Sequence, residues 1–301
     1  MSAPHRHHPG DDRPDDKHPE GSPPTTTQTP GCWVLSREAV RKVDALAVER
    51  FGIPSIVLME NAAIGLRDRA MAMMLELGTD QVVILVGPGN NGGDGLALAR
   101  HLHNAGAMPR ILLTTDPDRM AQRPGDAAVN LAIVRKMRLP LERLDSATGA
   151  EVLEQAADTR VLIVDALLGT GLRDPARGVI RDTILHVNRL RAPGVGVLAV
   201  DLPSGLDCDT GTPAGNGPAI EADQTVTFVA LKPGMLHLEA LRWTGEVTIA
   251  GIGAPRELIE ELGELVPDTR RGPRCQTPTP TTPSRTLPPP SSHGRATDRG
   301  E

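Results

Sequence analysis

Two adjacent amides and a carboxylate stand within a glycine-rich segment over residues 87–95, and these side chains could bind a ligand or an ion. The segment follows an apolar run over 82–86, and an amphipathic pattern begins at Asp94. Glycines let a ligand approach the main chain closely, and the free N–H groups at the start of a helix attract anions. Because a plain strand-to-helix turn does not explain Asn90, Asn91 and Asp94, the segment predicts a binding site.

The glycine spacing also matches known phosphate-binding motifs in part. Gly87, Gly89 and Gly92 form the pattern G-x-G-x-x-G, and Asp116 follows where dinucleotide-binding sites carry an acidic residue. However, Asp94 would repel a pyrophosphate placed at the helix start, and no Gly-Lys-Ser/Thr follows the glycines as in a P-loop. We therefore discount both motifs as the explanation of this segment.

Two further aspartates follow apolar runs. Asp165 ends one such run, and Asp201 ends the next. Either residue alone would most simply cap a helix or a loop. Two of them at the ends of adjacent strands, facing Asp94, would raise one another's pKa unless a cation or a donor intervenes. This arrangement suits general acid–base chemistry or ion binding, and oxygen donors without His or Cys indicate a hard ion.

A second glycine-containing loop, Gly-Thr-Gly-Leu-Arg-Asp-Pro over residues 169–175, leads into a predicted helix. Its backbone N–H groups and the guanidinium of Arg173 could seat a pyrophosphate or a nucleotide phosphate. A flexible loop with a solvated arginine explains the same residues nearly as well.

Other polar residues are weaker candidates. Lys232 follows a predicted strand, and we expect it to be exposed. His101 and His103 point to different faces of their helix and are expected to be surface or packing residues. Glu60 and Asn61 interrupt an apolar helical stretch, where a place in the binding crevice and a structural hydrogen bond are equally compatible.

The elements that must position these residues alternate between apolar runs and helical patterns, which predicts an α/β fold. Its sheet would be doubly wound and mostly parallel, with helices on both faces. If the strand order is 3-2-1-4-5, strands 1, 4 and 5 end at one crevice, where the polar segments converge. The predicted strands cover 82–86, 110–114, 141–144, 161–165 and 197–201, with 224–229 and 246–249 extending one edge. The predicted helices cover 36–50, 55–77, 94–104, 127–137, 149–157 and 178–190.

Both ends of the chain lack an apolar period. Residues 1–31 are rich in Pro, Asp, His and Thr, and residues 267–301 repeat Thr-Pro pairs. We therefore expect two disordered tails around one folded domain over 32–266. Three cysteines at wide spacing indicate neither a disulfide framework nor a zinc site. The absence of tyrosine excludes reductases that use a Ser-Tyr-Lys triad.

Charge and hydropathy restrict the partners. The formal net charge of -6 argues against a general nucleic-acid binder. The first residues contain no apolar core of a signal peptide, and no apolar stretch is long enough to span a bilayer. We therefore expect a cytoplasmic protein without nucleic-acid or membrane partners.

Five segments, taken together and in order, carry a family resemblance. They are Leu58-Met59-Glu60-Asn61-Ala62, the run from Asn90 to Gly95, Asp165 with the run from Gly169 to Leu172, the run from Val200 to Gly205, and Ala222-Asp223 with Pro233-Gly234. They closely resemble the NAD(P)H-hydrate epimerase family, from about residue 34 to about residue 256. The resemblance implies a Rossmann-like domain. It also implies interconversion of the R and S forms of nicotinamide cofactors that are hydrated at ring carbon 6.

The resemblance also implies roles for individual residues. One potassium ion per subunit would be held by Asn91, Asp165 and Ser204. Asp201 would bind the substrate and act as the acid or base. Contact with the hydrated cofactor is implied for Asn90, Asn91, Gly92, Gly93, Asp94, Gly169, Thr170, Gly171, Leu172, Arg173, Asp174, Pro175 and Asp201. The dehydratase domain fused to many bacterial relatives does not follow here. A separate dehydratase is therefore the implied pathway partner, and a homodimer is compatible with the sequence.

Several alternatives stay open at the level of the sequence. Inversion at ring carbon 6 can proceed by loss of hydroxide and re-addition of water, or by ring opening and reclosure. Either route needs a carboxyl group that gives and takes a proton, and the hydrates of NADH and NADPH are both compatible substrates. The alternative function is a non-catalytic interaction module that binds protein or RNA partners. The intact Asp165, Asp201 and Ser204 favour the enzyme, and the acidic net charge disfavours RNA.

Overall fold

The computed structural model describes residues 31–145, 151–155 and 160–267. Its strands are β1 (Gly31–Val34), β2 (Gln81–Val86), β3 (Met108–Leu113), β4 (Leu141–Arg143), β5 (Val161–Ala166), β6 (Val195–Val200), β7 (Gln224–Phe228), β8 (Glu246–Ala250) and β9 (Glu264–Pro267). β1 and β9 form an antiparallel pair. The other seven strands form a parallel sheet in the order β4-β3-β2-β5-β6-β7-β8.

The strand order confirms the predicted α/β architecture. β2, β5 and β6 lie side by side, and β7 and β8 extend the sheet beyond β6. In such a sheet the chain leaves β2 toward one edge and β5 toward the other, so a crevice opens at the carboxyl ends of these two neighbouring strands. The three polar segments singled out above follow β2, β5 and β6 and therefore reach the same crevice.

Helices cover both faces of the sheet. They are α1 (Arg37–Phe51), α2 (Ser55–Leu77), α3 (Asn90–Asn104), α4 (Pro117–Ala121), α5 (Asp126–Lys136), α6 (Gly178–Leu190), α7 (Leu241–Thr244) and α8 (Arg256–Leu262). Residues 151–155 are also helical, and the rest of the helix predicted over 149–157 lies outside the described residues. Within the described part of the chain, no helix combines the length and hydrophobicity that crossing a membrane requires.

The near-continuous apolar runs of the strands follow from burial on both faces. Ile84 of β2 belongs to a cluster with Leu66 of α2 and Leu98 of α3. The next residue, Leu85, belongs to a second cluster with Ile184 of α6 on the opposite face. Successive side chains of a strand point to opposite faces, so a strand covered on both sides needs apolar residues at every position.

The start of α3 differs from the prediction in a way that affects the site. The helix begins at Asn90 rather than at Asp94, because the chain is still extended at Gly89 and turns into the helix at the next residue. Gly92 and Gly93 have low helix propensity, so the sequence pattern did not indicate a helix there. No side chain caps this end, and the first N–H groups of the helix are left without an intrahelical acceptor.

The pairing of β1 with β9 was not predicted. Gly31 lies opposite Pro267 in this ladder, and each residue belongs to one of the two predicted tails. The described strands therefore reach one residue beyond each end of the domain predicted over 32–266. Apart from these two residues, the predicted tails lie outside the described residues.

Candidate active site

A cleft of about 940 Å³ lies at the carboxyl ends of β2, β5 and β6. Its walls come from α1, the start of α3, the loop after β5 and Asp201. The apolar residues Leu58 and Met59 of α2 complete one side. This volume falls within the range of small-molecule sites, and the mixture of apolar walls with a few convergent polar groups is typical of them.

Close backbone packing determines the position of the glycine-rich segment. A Cβ atom at Gly87 would lie 1.7 Å from the carbonyl oxygen of Leu167, and a Cβ atom at Gly92 would lie 2.0 Å from the carbonyl oxygen of Gly87. Only glycine fits at either position, since backbone atoms occupy the space that a side chain needs. The packing brings Asn91 beside the loop after β5, where its Nδ2 donates to the carbonyl oxygen of Leu168 at 3.1 Å.

Asp165 and Ser204 form a completely buried pair behind this loop. The Ser204 hydroxyl donates to Asp165 Oδ1 at 2.6 Å, and the Ser204 N–H donates to Asp165 Oδ2 at 2.7 Å. The N–H of Leu168 donates in turn to Ser204 Oγ at 2.8 Å. Burial raises the pKa of Asp165 to about 6, and the hydrogen bonds from Ser204 partly oppose that rise.

One acceptor in this region is left unpaired. Asn91 Oδ1 is buried and has no hydrogen-bond partner among the described residues. It faces Gly169, where a Cβ atom would lie 3.3 Å away. An unpaired buried acceptor costs roughly 1–3 kcal/mol, a cost that a cation would remove.

The Asn91 amide is linked to further oxygen groups by hydrogen bonds. Its Nδ2 donates to the carbonyl oxygen of Leu168, the Ser204 hydroxyl lies 3.2 Å from the same oxygen, and that hydroxyl donates to the carboxylate of Asp165. The described residues contain no cluster of three or more His, Cys, Asp or Glu that could hold a metal ion. Oxygen donors from an amide, a hydroxyl and one carboxylate suit a hard cation of low charge, so the residues present fit the potassium ion that the resemblance implies.

Asp201 follows β6 in a strained conformation. Its φ of 62° lies in the left-handed region, which a residue other than glycine adopts only at a cost of about 1–3 kcal/mol. Three donors converge on its Oδ1: Lys232 Nζ at 2.7 Å, Thr227 Oγ1 at 3.2 Å and the N–H of Phe228 at 3.2 Å. Such strain occurs at functional sites, and these hydrogen bonds hold the carboxylate at the edge of the cleft.

The expectation of an exposed Lys232 was wrong. This lysine is 0% exposed, and its Nζ donates to Asp201 Oδ1, to Thr227 Oγ1 at 2.8 Å and to the carbonyl oxygen of Phe228 at 2.9 Å. A buried ammonium group is tolerated only when it is paired and hydrogen-bonded, and these partners meet that requirement. The available signal was the position of the lysine within the apolar stretch from Phe228 to Met235.

Sequence reasoning also missed two carboxyl groups, Asp44 of α1 and Asp126 of α5, which line the same cleft as Asp94. Partial desolvation of the carboxyl group in the cleft, followed by the charge of Asp201, raises the pKa of Asp44 to about 6, although the residue as a whole is exposed. Asp44 stands one turn after the buried Val40 on the apolar side of α1. A carboxylate at that position was a signal that the sequence reasoning did not use.

Asp94 is buried to 8% exposure, and none of the described residues donates a hydrogen bond to its carboxyl group. Burial raises its pKa well above the ordinary value, and the charges of Asp201, Asp44 and Asp126 add to the effect. These surroundings favour the protonated form of the carboxyl group.

Most of the residues predicted to contact substrate lie on the cleft wall. They are Asn90, Asn91, Asp94, Gly169, Thr170, Gly171, Leu172, Arg173, Asp174, Pro175 and Asp201. Gly92 and Gly93 lie behind the wall, where Gly93 packs against Met59. Arg41 and Arg177 were not singled out from the sequence and also line the cleft.

The weaker candidates have structural contacts. Glu60 forms an ion pair with Arg100 and a hydrogen bond with the ring of His101 at 2.9 Å. Asn61 donates to the carbonyl oxygen of Ile252 at 2.9 Å. Asp116 caps α4 by accepting from the N–H groups that begin that helix, which accounts for the acidic residue in the discounted dinucleotide motif.

Comparison with known proteins decides the family. A family model described as YjeF-related protein N-terminus matches residues 55–234. An NAD(P)H-hydrate epimerase from Pirellula staleyi is 41% identical over 232 residues, which are 77% of this chain and 97% of that protein. The chain belongs to the NAD(P)H-hydrate epimerase family. A bifunctional NAD(P)H-hydrate repair enzyme Nnr from Salinibacter ruber is 37% identical over 239 residues, and the match spans 77% of this chain and 42% of that protein.

The fold of the family is also seen in a solved structure. The crystal structure of yeast ynu0, YNL200c, superposes with a TM-score of 0.63 over 79% of this chain and 96% of that chain, at 23% sequence identity. At this identity the likeness supports the architecture alone. It agrees with the parallel sheet and the helix layers described above.

Proposed function

We propose that the chain interconverts the R and S forms of NADH and NADPH that are hydrated at nicotinamide carbon 6. The observation that carries the proposal is the carboxylate of Asp201, which lines the cleft and is paired with the fully buried Lys232. Membership of the NAD(P)H-hydrate epimerase family supports the same reaction.

The substrate lies with its hydrated ring between Asp94 and Asp201 and with its phosphates along the loop over residues 169–175. Three arginines of the cleft support this orientation, because Arg41, Arg173 and Arg177 lie at or beside that loop. The uncapped N–H groups at the start of α3 add further donors for polar atoms of the cofactor.

The chemistry requires a proton to move to and from the substrate. Carbon 6 bears a hydroxyl group and is bonded to the ring nitrogen, so the hydroxyl can leave once it is protonated or the ring can open once it is deprotonated. Asp201 exchanges a proton with the substrate in this reaction. Lys232 and Thr227 bind Oδ1, which leaves Oδ2 free of donors from the described residues and available to substrate.

A potassium ion is held by Asn91, Asp165 and Ser204, one ion in each subunit. The unpaired Asn91 Oδ1 supports this part of the proposal. When bound, the ion supplies a fixed positive charge that orients the Asn91 amide and the loop after β5. The side chains of Asp165 and Ser204 hold this loop through the N–H groups of Leu167 and Leu168.

The proposal also covers the location, the pathway partner and the assembly of the chain. The relative that combines two activities, from Salinibacter ruber, is named as a bifunctional repair enzyme. We place this chain in the cytoplasm, where it supplies the S form to a dehydratase carried on a separate polypeptide, and we propose a homodimer as its assembly.

The test is a direct assay of conversion. Purified protein is given the R form of hydrated NADH in potassium buffer and in matched sodium buffer, and the two epimers are separated by chromatography over time. We expect conversion to S far above the spontaneous rate, stimulation by potassium, and loss of conversion in Asp201→Asn. Folded protein that leaves the spontaneous rate unchanged in potassium would contradict the proposal.

A further inference from the structure

Asp94 and Asp201 line the same cleft but have opposite surroundings. Three donors converge on Asp201 Oδ1, among them the ammonium group of Lys232 at 2.7 Å. Asp94 receives no hydrogen bond from the part of the chain that the structure describes, although its side chain is nearly buried. One carboxyl group is therefore paired with a cation, and the other has no donor to stabilise a negative charge.

The groups that act on Asp94 are other carboxyl groups. Asp44 comes from α1, Asp126 from α5 and Asp201 from the end of β6, and each of them disfavours ionisation of Asp94. Together with burial they raise its pKa well above the ordinary range, which favours the protonated form of the group.

The positive charges of the cleft lie toward a different wall. Arg173 and Arg177 belong to the loop after β5, and the guanidinium of Arg41 faces Gly171 of the same loop. None of these arginines contributes to the pKa of Asp94. The cleft therefore has a cationic wall suited to phosphates and a carboxyl-rich wall that can share a proton.

We propose that Asp94 is the general acid of the reaction and that Asp201 is its partner base. This assignment rests on the proposed epimerase function and adds a second catalytic residue to it. A carboxyl group without donors, facing the same cleft as a carboxyl group paired with a cation, is an arrangement by which enzymes divide the acid and base roles.

The step follows the elimination route. The C6–O bond breaks, its electron pair stays on oxygen, and that oxygen takes the proton of Asp94 and leaves as water. The lone pair of the ring nitrogen forms a double bond to C6 in the same step. Water then adds to C6 from the opposite face, the double-bond pair returns to nitrogen, and Asp201 takes the proton of the added water. Asp201 then releases its proton to solvent and Asp94 takes one up from solvent, which restores the starting state.

The experiment measures kcat and KM for R-to-S conversion from about pH 6 to about pH 10. Four proteins are compared: wild type, Asp94→Asn, Asp94→Glu, and Asp118→Asn as the control, which changes an exposed aspartate of α4 outside the cleft. Wild-type kcat should fall at the alkaline end as the acid loses its proton. Asp94→Asn should lower kcat about 10²–10⁴-fold with KM within a few-fold, and the residual rate should lack the alkaline fall.

Asp94→Glu keeps a proton donor and should restore part of the rate together with an alkaline fall, and Asp118→Asn should match wild type. The assignment is overturned if Asp94→Asn is folded and keeps kcat within a few-fold of wild type. It is also overturned if the residual activity keeps the wild-type alkaline fall, or if Asp94→Asn is unfolded and Asp94→Glu shows no alkaline fall. If wild type itself gives no conversion, the proposed function fails first, and the failure is distinguishable because no variant is needed to observe it.

Discussion

Asp165 and Asp201 stand at the ends of neighbouring parallel strands, yet the structure treats them differently. Asp165 is completely buried, accepts from the hydroxyl and the N–H of Ser204, and has its pKa raised to about 6 by burial. Asp201 lines the cleft and is paired with Lys232. The first carboxyl group accepts from a hydroxyl and from backbone N–H groups, and the second accepts from the ammonium group of a lysine.

This difference shows that the position of an aspartate in the sheet does not by itself determine its chemical role. Both aspartates reach the same edge because parallel strands end there. The roles differ because of the residues that reach them from elsewhere: Ser204 from the loop after β6 and Lys232 from the segment after β7. The region around Asp165 is a buried site beside the unpaired Asn91 Oδ1, and the region around Asp201 is open to the cleft.

Removing Lys232 takes away the cation that is paired with Asp201 and should have the largest effect on stability. Lys232→Met leaves a buried carboxylate without its cation, and we expect it to lower the free energy of unfolding by about 3–5 kcal/mol, measured by urea titration. Lys42→Met removes an exposed lysine that pairs with Glu38 and should change it by no more than about 0.5 kcal/mol. Equal effects in the two variants would contradict the assigned role of the buried pair.

Gly92→Ala should disturb both the region of the proposed ion and the substrate site, because Gly92 lies between Asn91 and Asp94. The added Cβ atom would lie 2.0 Å from the carbonyl oxygen of Gly87, which belongs to the backbone. We expect a loss of about 1–3 kcal/mol in the free energy of unfolding. Gly89→Ala, where no atom lies within 4 Å of the added Cβ, is the matched control and should cost less than about 0.5 kcal/mol. An equal loss in both would refute the packing argument.

Replacing Asp44 should have the smallest effect of the three, and the direction of its effect on the pH dependence of stability is defined. Its pKa is raised to about 6, so the folded protein holds this proton more tightly than the unfolded chain. This contribution to stability is present below about pH 4 and is lost as the pH rises through about 6. Asp44→Asn should therefore reduce the loss of unfolding free energy over this range, by about 1 kcal/mol or less after solvent screening. The measurement is the melting temperature as a function of pH, which should fall less in the variant than in wild type. A steeper fall in the variant would show that the sign is wrong.

Much of the fold could be predicted because apolar runs and helical patterns are local signals. The order of β2, β5 and β6 followed from the alternation of strands and helices, and the convergence of three polar segments followed from that order. The pairing of β1 with β9 was missed, since two four-residue strands at opposite ends of the domain carry almost no local signal.

The site was predictable in its strand-end residues and not in their partners. Asp94, Asp165 and Asp201 could be found because they follow apolar runs. Lys232 was misjudged because burial of a lysine depends on acceptors that only the folded chain assembles. Asp44 was overlooked because a single exposed carboxylate on a helix carries no local signal of the cleft that the neighbouring elements form beside it.

The most direct test of the contrast between the two aspartates is a potassium titration of epimerase activity in wild type, Asp165→Asn and Asp201→Asn. Asp165→Asn should need at least about tenfold more potassium for half-maximal rate and should recover activity when potassium is raised, because its defect is in holding the ion. Asp201→Asn should stay inactive at every potassium concentration, because its defect is in proton transfer. Recovery of Asp201→Asn by potassium, or identical behaviour of the two variants, would contradict the account.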